Sequence, residues 1–113
     1  MITRKADHPV EVRHEMKGGK GNVSLAALVP QNPNKIRIFS TITLEPGASI
    51  GVHQHVGESE LFYFVSGCGR ANDDGEYIDV FAGDAMLTAS GHSHGVENIG
   101  DEDLVLVAVV ILD

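Results

Sequence analysis

Short runs of β-forming residues, separated by turn residues about every ten positions, dominate this chain. Thirteen glycines punctuate the runs, and almost no stretch repeats its apolar residues with the period of an α-helix. Strands are predicted at 10–14, 23–29, 35–44, 50–55, 60–66, 69–72, 76–81, 85–89, 93–98 and 104–112. Strands at this spacing are typical of an all-β sandwich or barrel.

Two glycine-containing segments are predicted turns. Asp74-Gly75 lies between two runs and predicts a tight hairpin, because this pair tolerates the positive φ angles of such a turn. Lys17-Gly18-Gly19-Lys20-Gly21 lacks the spacing of a phosphate-binding loop, so it is predicted to be a flexible turn.

The run at 35–44 alternates in polarity along its length. One face carries Ile36, Ile38, Ile42 and Leu44, and the other carries Arg37, Phe39, Thr41 and Thr43. The alternation does not decide which face is interior. The run at 104–112 is apolar on both faces, so both must be covered. The interior of the fold can cover one face. A helix, the amino-terminal arm or a second subunit can cover the other. Because few residues remain for this task, a homodimer is predicted.

Composition excludes several classes of protein. The hydrophobic fraction of 42% excludes disorder, and no apolar run is long enough to cross a membrane. A net charge of −8 argues against nucleic acid or an anionic membrane as partner. Seven of the eight basic residues lie within 1–37, which fits either a solvated surface or cations that reach an anionic ligand. Cys68 has no partner for an internal disulfide, and no secretory signal is visible at residues 1–7, so a cytoplasmic location is expected.

His53 and His55 are the most informative side chains. On a strand, residues two apart turn to the same face, with Cα atoms roughly 6.5–7 Å apart, which suits two nitrogens that converge on one cation. Glu60 has the wrong parity to share that face on a straight strand. Residues 56–59 are therefore predicted to form a turn, after which Glu60 opens a second strand.

The chain resembles the cupin superfamily over about residues 35–112. The first cupin motif is matched at every position, by Gly47, His53, His55, Glu60 and Gly67. The second is matched by Gly83, Gly91, His94 and Asn98, with Ala89 where a proline is usual. That departure should loosen one turn and leave the ligands unchanged. Fifteen residues separate the two motifs, which is similar to small single-domain microbial cupins.

The resemblance implies a double-stranded β-helix (jelly-roll) barrel at 35–113, with an N-terminal arm at 1–34 that packs on the barrel or on a partner subunit. It also implies one divalent transition metal ion (Mn, Fe, Ni, Co, Cu or Zn), held by the positions that match His53, His55, Glu60 and His94. Three imidazoles and one carboxylate leave two octahedral positions open. The lack of thiolates disfavours a closed structural zinc site.

Other side chains compete with this set or could surround it. His92 shares a strand face with His94 and would replace it if the register slipped, although the motif favours His94 and leaves His92 at the rim. His8 and His14 are expected at the surface. The predicted pocket residues are Arg37, Phe39, Phe62, Phe64, Met86 and His92, with Thr88 also beside His94. Such a lining suits a small carboxylate or keto acid that chelates the metal, with Arg37 pairing the remote charge.

Three functions remain open. The first is a metal-dependent enzyme acting on a small anionic substrate, of decarboxylase, dioxygenase or isomerase type. An oxalate-decarboxylase-like assignment is weak, because no proton donor is identifiable and a two-barrel architecture does not fit 113 residues. The second is a non-catalytic module that binds a metal, a sugar or another small molecule. A sensor domain is the weakest, since no helix-turn-helix accompanies the barrel.

Overall fold

Ten antiparallel strands form two sheets in the computed structural model, which describes residues 1–113. The strands are β1 (Val10–His14), β2 (Asn22–Ala27), β3 (Ile36–Leu44), β4 (Ser49–Gln54), β5 (Glu58–Ser66), β6 (Cys68–Asp73), β7 (Glu76–Phe81), β8 (Ala85–Thr88), β9 (Ser93–Asn98) and β10 (Leu104–Leu112). Two 3₁₀ turns, Lys5–Asp7 and Met16–Gly18, are the only helical elements. No helix is long and apolar enough to cross a membrane.

The six-stranded sheet has the order β1-β2-β3-β10-β5-β8, and the four-stranded sheet has the order β4-β9-β6-β7. Apolar side chains from both sheets form one buried core, which includes Leu44, Phe64, Val96 and Leu106. This arrangement is the expected all-β jelly-roll barrel. The strands β1 and β2 of the arm continue the larger sheet edge to edge beyond β3.

The hairpin between β6 and β7 has the predicted two-residue turn. Asp73 pairs with Glu76, and Asp74 and Gly75 between them have φ angles of 53° and 97°. These angles fit the type I′ turn, whose twist matches that of the flanking strands. The Gly75 N–H also donates to Asn72 Oδ1 at 2.8 Å.

The burial pattern of β3 decides which of its two faces is interior, a question that alternation left open. Ser40, Ile42 and Leu44 are buried, so their face is interior. Val110 pairs with Ile38 but Ile111 pairs with Ile36, so Arg37 is an extra residue on β3. Bulges redirect side chains, and Arg37 lines the cavity described below, whereas the half-buried Phe39 does not.

The outer face of the larger sheet keeps an apolar surface at its β5 end. Val107 and Val109 of β10 pair with Tyr63 and Leu61 of β5. The exposed large side chains here are Leu61, Tyr63, Val65 and Leu87, which retain between 39% and 61% of their accessible surface. Lys5 and His8 of the arm line a groove near Val105 on the same sheet, at the β2 and β3 end.

Candidate metal centre

Four ligand atoms from both sheets converge at one end of the barrel. His53 on β4 and His94 on β9 are directly opposed in the four-stranded sheet, and Glu60 lies on β5 of the other sheet. His55 follows β4 in the turn before β5. One ligand atom from each of these residues lies within 4.8 Å of all the others. His55, Glu60 and His94 are buried, and His53 is partly buried.

A second bulge turns His53 inward. Ile50 pairs with Val96, but His53 pairs with His94, so β4 carries one extra residue between these pairs. Simple alternation from the buried Ile50 would turn Val52 inward, yet Val52 is 55% exposed. The bulge therefore gives β4 the parity that the cluster needs.

Each imidazole is held through its Nδ1 atom. His53 Nδ1 lies 2.7 Å from the Gly51 carbonyl oxygen, and His55 Nδ1 lies 2.8 Å from Glu58 Oε2. Because a carbonyl and a carboxylate only accept hydrogen bonds, both rings donate from Nδ1, which leaves the lone pair of a neutral ring on Nε2. The His94 Nδ1 contacts the Thr88 hydroxyl at 2.7 Å.

The Nε2 atoms of His55 and His94 lie at close range to each other and to the Glu60 carboxylate. Glu60 Oε1 lies 3.0 Å from His55 Nε2 and 2.9 Å from His94 Nε2, and these two nitrogens are 3.0 Å apart. Lone pairs this close repel one another unless a cation or a proton lies between them. Ligand atoms about 2.1 Å from an ion and at right angles to each other are about 3.0 Å apart. The donor set and the spacing of these three atoms therefore fit a divalent metal ion, and the ligand atom of His53 lies within 4.8 Å of them.

Burial and hydrogen bonds shift two pKa values near the cluster. The pKa of His53 is lowered, chiefly because burial disfavours its charged form. The pKa of Glu58 is also lowered, first by hydrogen bonding to Arg37 and then, against the opposing effect of burial, by His55. The Arg37 guanidinium binds both Glu58 oxygens, at 3.0 and 2.7 Å. At neutral pH, Glu58 is therefore a carboxylate held between Arg37 and His55.

A cavity of about 390 Å³ opens beside the cluster. Its lining includes His53, His55 and Glu60, together with Glu58 and Arg37. The remaining lining residues are Arg13, Met16, Lys17, Leu25, Ile38, Ile42, Gln54 and Val56.

Most of the predicted pocket residues do not line the cavity in the structure. The Phe62 ring stacks on the His94 ring, with centroids 4.9 Å apart, so it packs behind a ligand instead of lining the cavity. Phe64 and Met86 lie in the core. His92 is exposed, and its Nδ1 lies 2.9 Å from Asp74 Oδ2. His94 and not His92 thus belongs to the cluster.

The sequence analysis missed Glu58, Gly51 and the arm residues of the cavity. An acidic residue three positions after a ligating histidine was a usable signal for Glu58. Gly51 acts through its backbone, and the arm reaches the cavity only through the tertiary fold.

Comparison with known proteins gives a consistent result. The family model described as a cupin domain matches residues 40–110. The chain is 41% identical to an oxalate-binding protein of Thermotoga maritima, over 99% of this chain and 94% of that protein. A Thermotoga maritima crystal structure titled a predicted oxalate decarboxylase matches all of both chains at 41% identity, with a TM-score of 0.95. Oxalate decarboxylase OxdC of Bacillus subtilis is 34% identical over 84% of this chain, which spans only 26% of that enzyme.

Proposed function

The chain belongs to the cupin family, and on that premise we propose that it holds one divalent transition metal ion and binds a small carboxylate anion on it. The ligands are His53, His55, Glu60 and His94. The observation that carries this proposal is the fixed orientation of the imidazoles, since their Nδ1 contacts turn the Nε2 atoms toward Glu60. Imidazole and carboxylate ligands suit Mn, Fe, Ni, Co, Cu or Zn.

The charge of the cavity favours an anionic ligand. Arg13, Lys17 and Arg37 line it, against the carboxylates Glu58 and Glu60. A bound divalent ion would make the lining clearly positive. The similarity to an oxalate-binding protein supports a carboxylate as this anion. When bound, the ion would supply positive charge to the carboxylate oxygens, while the cationic side chains would orient the anion.

Binding without turnover is the form of this function that we favour. Apart from the ligand Glu60, the only carboxyl group of the cavity is Glu58. Its lowered pKa and its contacts with Arg37 and His55 make it a poor proton donor. A decarboxylation that ends in protonation of carbon would need such a donor. The similarity to an oxalate decarboxylase keeps a metal-dependent enzyme as the second candidate.

The proposal is tested first by elemental analysis of the purified protein and then by calorimetric titration of the Mn²⁺-loaded protein with oxalate. We expect one metal ion per chain and saturable oxalate binding that is lost in EDTA. Assays for formate and CO₂ over hours distinguish binding from turnover. Failure of the metal-loaded protein to bind any carboxylate would contradict the proposal.

We further propose that the chain forms a homodimer through the outer face of the six-stranded sheet. The apolar side chains at its β5 end, among them Tyr63 and Leu87, have no partner in the monomer. A second copy of the same sheet offers a self-complementary apolar surface, as a two-fold dimer requires.

A further inference from the structure

By chemistry alone, the residues that line the cavity beside the metal centre fall into three zones. His53, His55 and Glu60 form one zone. A second zone is apolar and consists of Met16, Leu25, Ile38, Ile42 and Val56. The third is cationic and consists of Arg13, Lys17 and Arg37. Oxalate consists of two joined carboxylates and has no apolar portion, so its contacts with the metal would leave the apolar zone unused.

Lys17 is the one cation of this cavity without a carboxylate partner. Arg13 binds Glu11 through two nitrogens, at 3.0 and 3.3 Å, and Arg37 binds Glu58 in the same way. No ion pair includes Lys17. Lys17 is therefore a better candidate than Arg37 for binding a remote charge of the ligand.

The backbone around Lys17 is held in an unusual conformation. Glu15 and Lys17 both have left-handed dihedral angles, with φ of 51° and 55°. Non-glycine residues rarely adopt this region, and they keep it where the surrounding structure enforces it. Between them, Met16 packs against the core and lines the cavity.

Contacts with β4 enforce this conformation. A Cβ atom on Gly51 would come within 2.0 Å of the Lys17 carbonyl oxygen, and one on Gly19 within 2.0 Å of the Ser49 carbonyl oxygen. Only glycine permits backbones this close. The Ser49 N–H also donates to the Lys20 carbonyl at 2.8 Å. The segment that carries Lys17 is thus fixed to the strand that carries His53.

We propose that the cavity selects a carboxylate with a second anionic group beyond a short apolar chain, and that Lys17 binds this second group. The metal-chelating end would lie at the histidines, the chain against Met16 and its apolar neighbours, and the distal charge at Lys17. This inference rests on the proposed function, because the first carboxylate is placed by the metal ion.

The test compares two keto acids that share a chelating end. α-Ketoglutarate has a distal carboxylate, and α-ketovalerate has the same chain length without it. Both are titrated calorimetrically into the Mn²⁺-loaded protein, with oxalate as a third ligand. The variant is Lys17→Asn, because asparagine tolerates left-handed angles. The matched control is Lys20→Asn, a lysine of the same segment that does not line this cavity.

Lys17→Asn is expected to weaken α-ketoglutarate binding about threefold to fivefold, as loss of an exposed ion pair does. The affinities of this variant for oxalate, α-ketovalerate and Mn²⁺ should stay as in the wild type. In Lys20→Asn, the affinities for these three and for α-ketoglutarate should all be unchanged. An α-ketoglutarate affinity that changes no more in Lys17→Asn than in Lys20→Asn, while oxalate still binds, would overturn this inference alone. If none of the three acids binds, the proposed function fails with it.

Discussion

His55 and Glu58 form a partly buried pair in which the imidazole Nδ1 donates to Glu58 Oε2 at 2.8 Å, while the other nitrogen of the ring lies 3.0 Å from Glu60. The ring is therefore fixed through Nδ1, with Nε2 facing the cluster. Arg37 extends the contact outward by binding both oxygens of Glu58. An exposed guanidinium is thus connected to the metal centre through two residues.

Glu58→Ala is expected to lower metal affinity by about 10-fold to 100-fold, as loss of an outer partner of a ligating histidine typically does. Without the acceptor, His55 loses its fixed orientation and tautomer. Competition titration with a chromophoric chelator measures the change. Asp79→Ala is the matched control, because Asp79 also pairs with an arginine, Arg70, but in an exposed position away from the cavity. Equal affinity in the two variants would contradict this role of Glu58.

His94→Ala should purify without stoichiometric metal, whereas His92→Ala should retain it. The two histidines are close in sequence, but His94 is 1% exposed in the cluster and His92 pairs with Asp74 at the surface. Elemental analysis of both variants after identical purification measures the difference. Loss of metal from His92→Ala alone would mean that β9 has a different register in solution.

Arg37→Gln should alter the pH dependence of stability in the metal-free protein. Arg37 lowers the pKa of Glu58 below its ordinary value of 4.5, so this pair stabilises the fold above that pH. The contribution is lost as the pH falls through the lowered pKa of the folded state. In EDTA, the melting temperature of the variant should be lower than that of the wild type at neutral pH. This gap between the two melting temperatures should narrow below about pH 4.5. A gap that stays constant down to strongly acidic pH would refute this.

Gly51→Ala should destabilise the protein by about 1–3 kcal/mol, which is typical of overpacking. The added methyl group would meet the Lys17 carbonyl oxygen, and the shift would disturb the carbonyl that accepts from His53. Urea unfolding measures the loss, and metal titration should show weaker binding as well. Unchanged stability would mean that the segment at 15–21 is not fixed to β4.

Tyr63→Lys should convert the proposed dimer to a monomer, because it places a charge among the exposed apolar side chains at the β5 end of the outer face. Light scattering coupled to gel filtration measures the mass. Tyr77→Lys is the control, since Tyr77 is 70% exposed on the four-stranded sheet. A wild-type protein that is monomeric at high concentration would contradict the dimer.

Much of the fold could be predicted from the sequence, because alternation and turn chemistry are local. The observed strand ends lie within two residues of those predicted. The turn before Glu60 is shorter than expected, since β5 already begins at Glu58 after Gly57, whose φ is 75°. The four clustered residues are those that the cupin motifs indicate.

The cavity could not be predicted in the same way, because bulges and the path of the arm are tertiary features. One extra residue in β3 separates Arg37 from Phe39, and another in β4 turns His53 inward. Neither bulge is visible in the alternation of residue types. Lys17 lies far from the motifs in sequence, and the contacts of its segment with Ser49 and Gly51 of β4 bring it near them. The cytoplasmic location remains a prediction.

The candidate ligands belong to two different sheets, with His53 and His94 in one and Glu60 in the other. An ion bound there would link the two sheets, and it would stabilise the folded form by a free energy that rises with the logarithm of its free concentration above Kd. The lifetime of this protein in a cell would then rise and fall with the local supply of that element, even when no carboxylate is present.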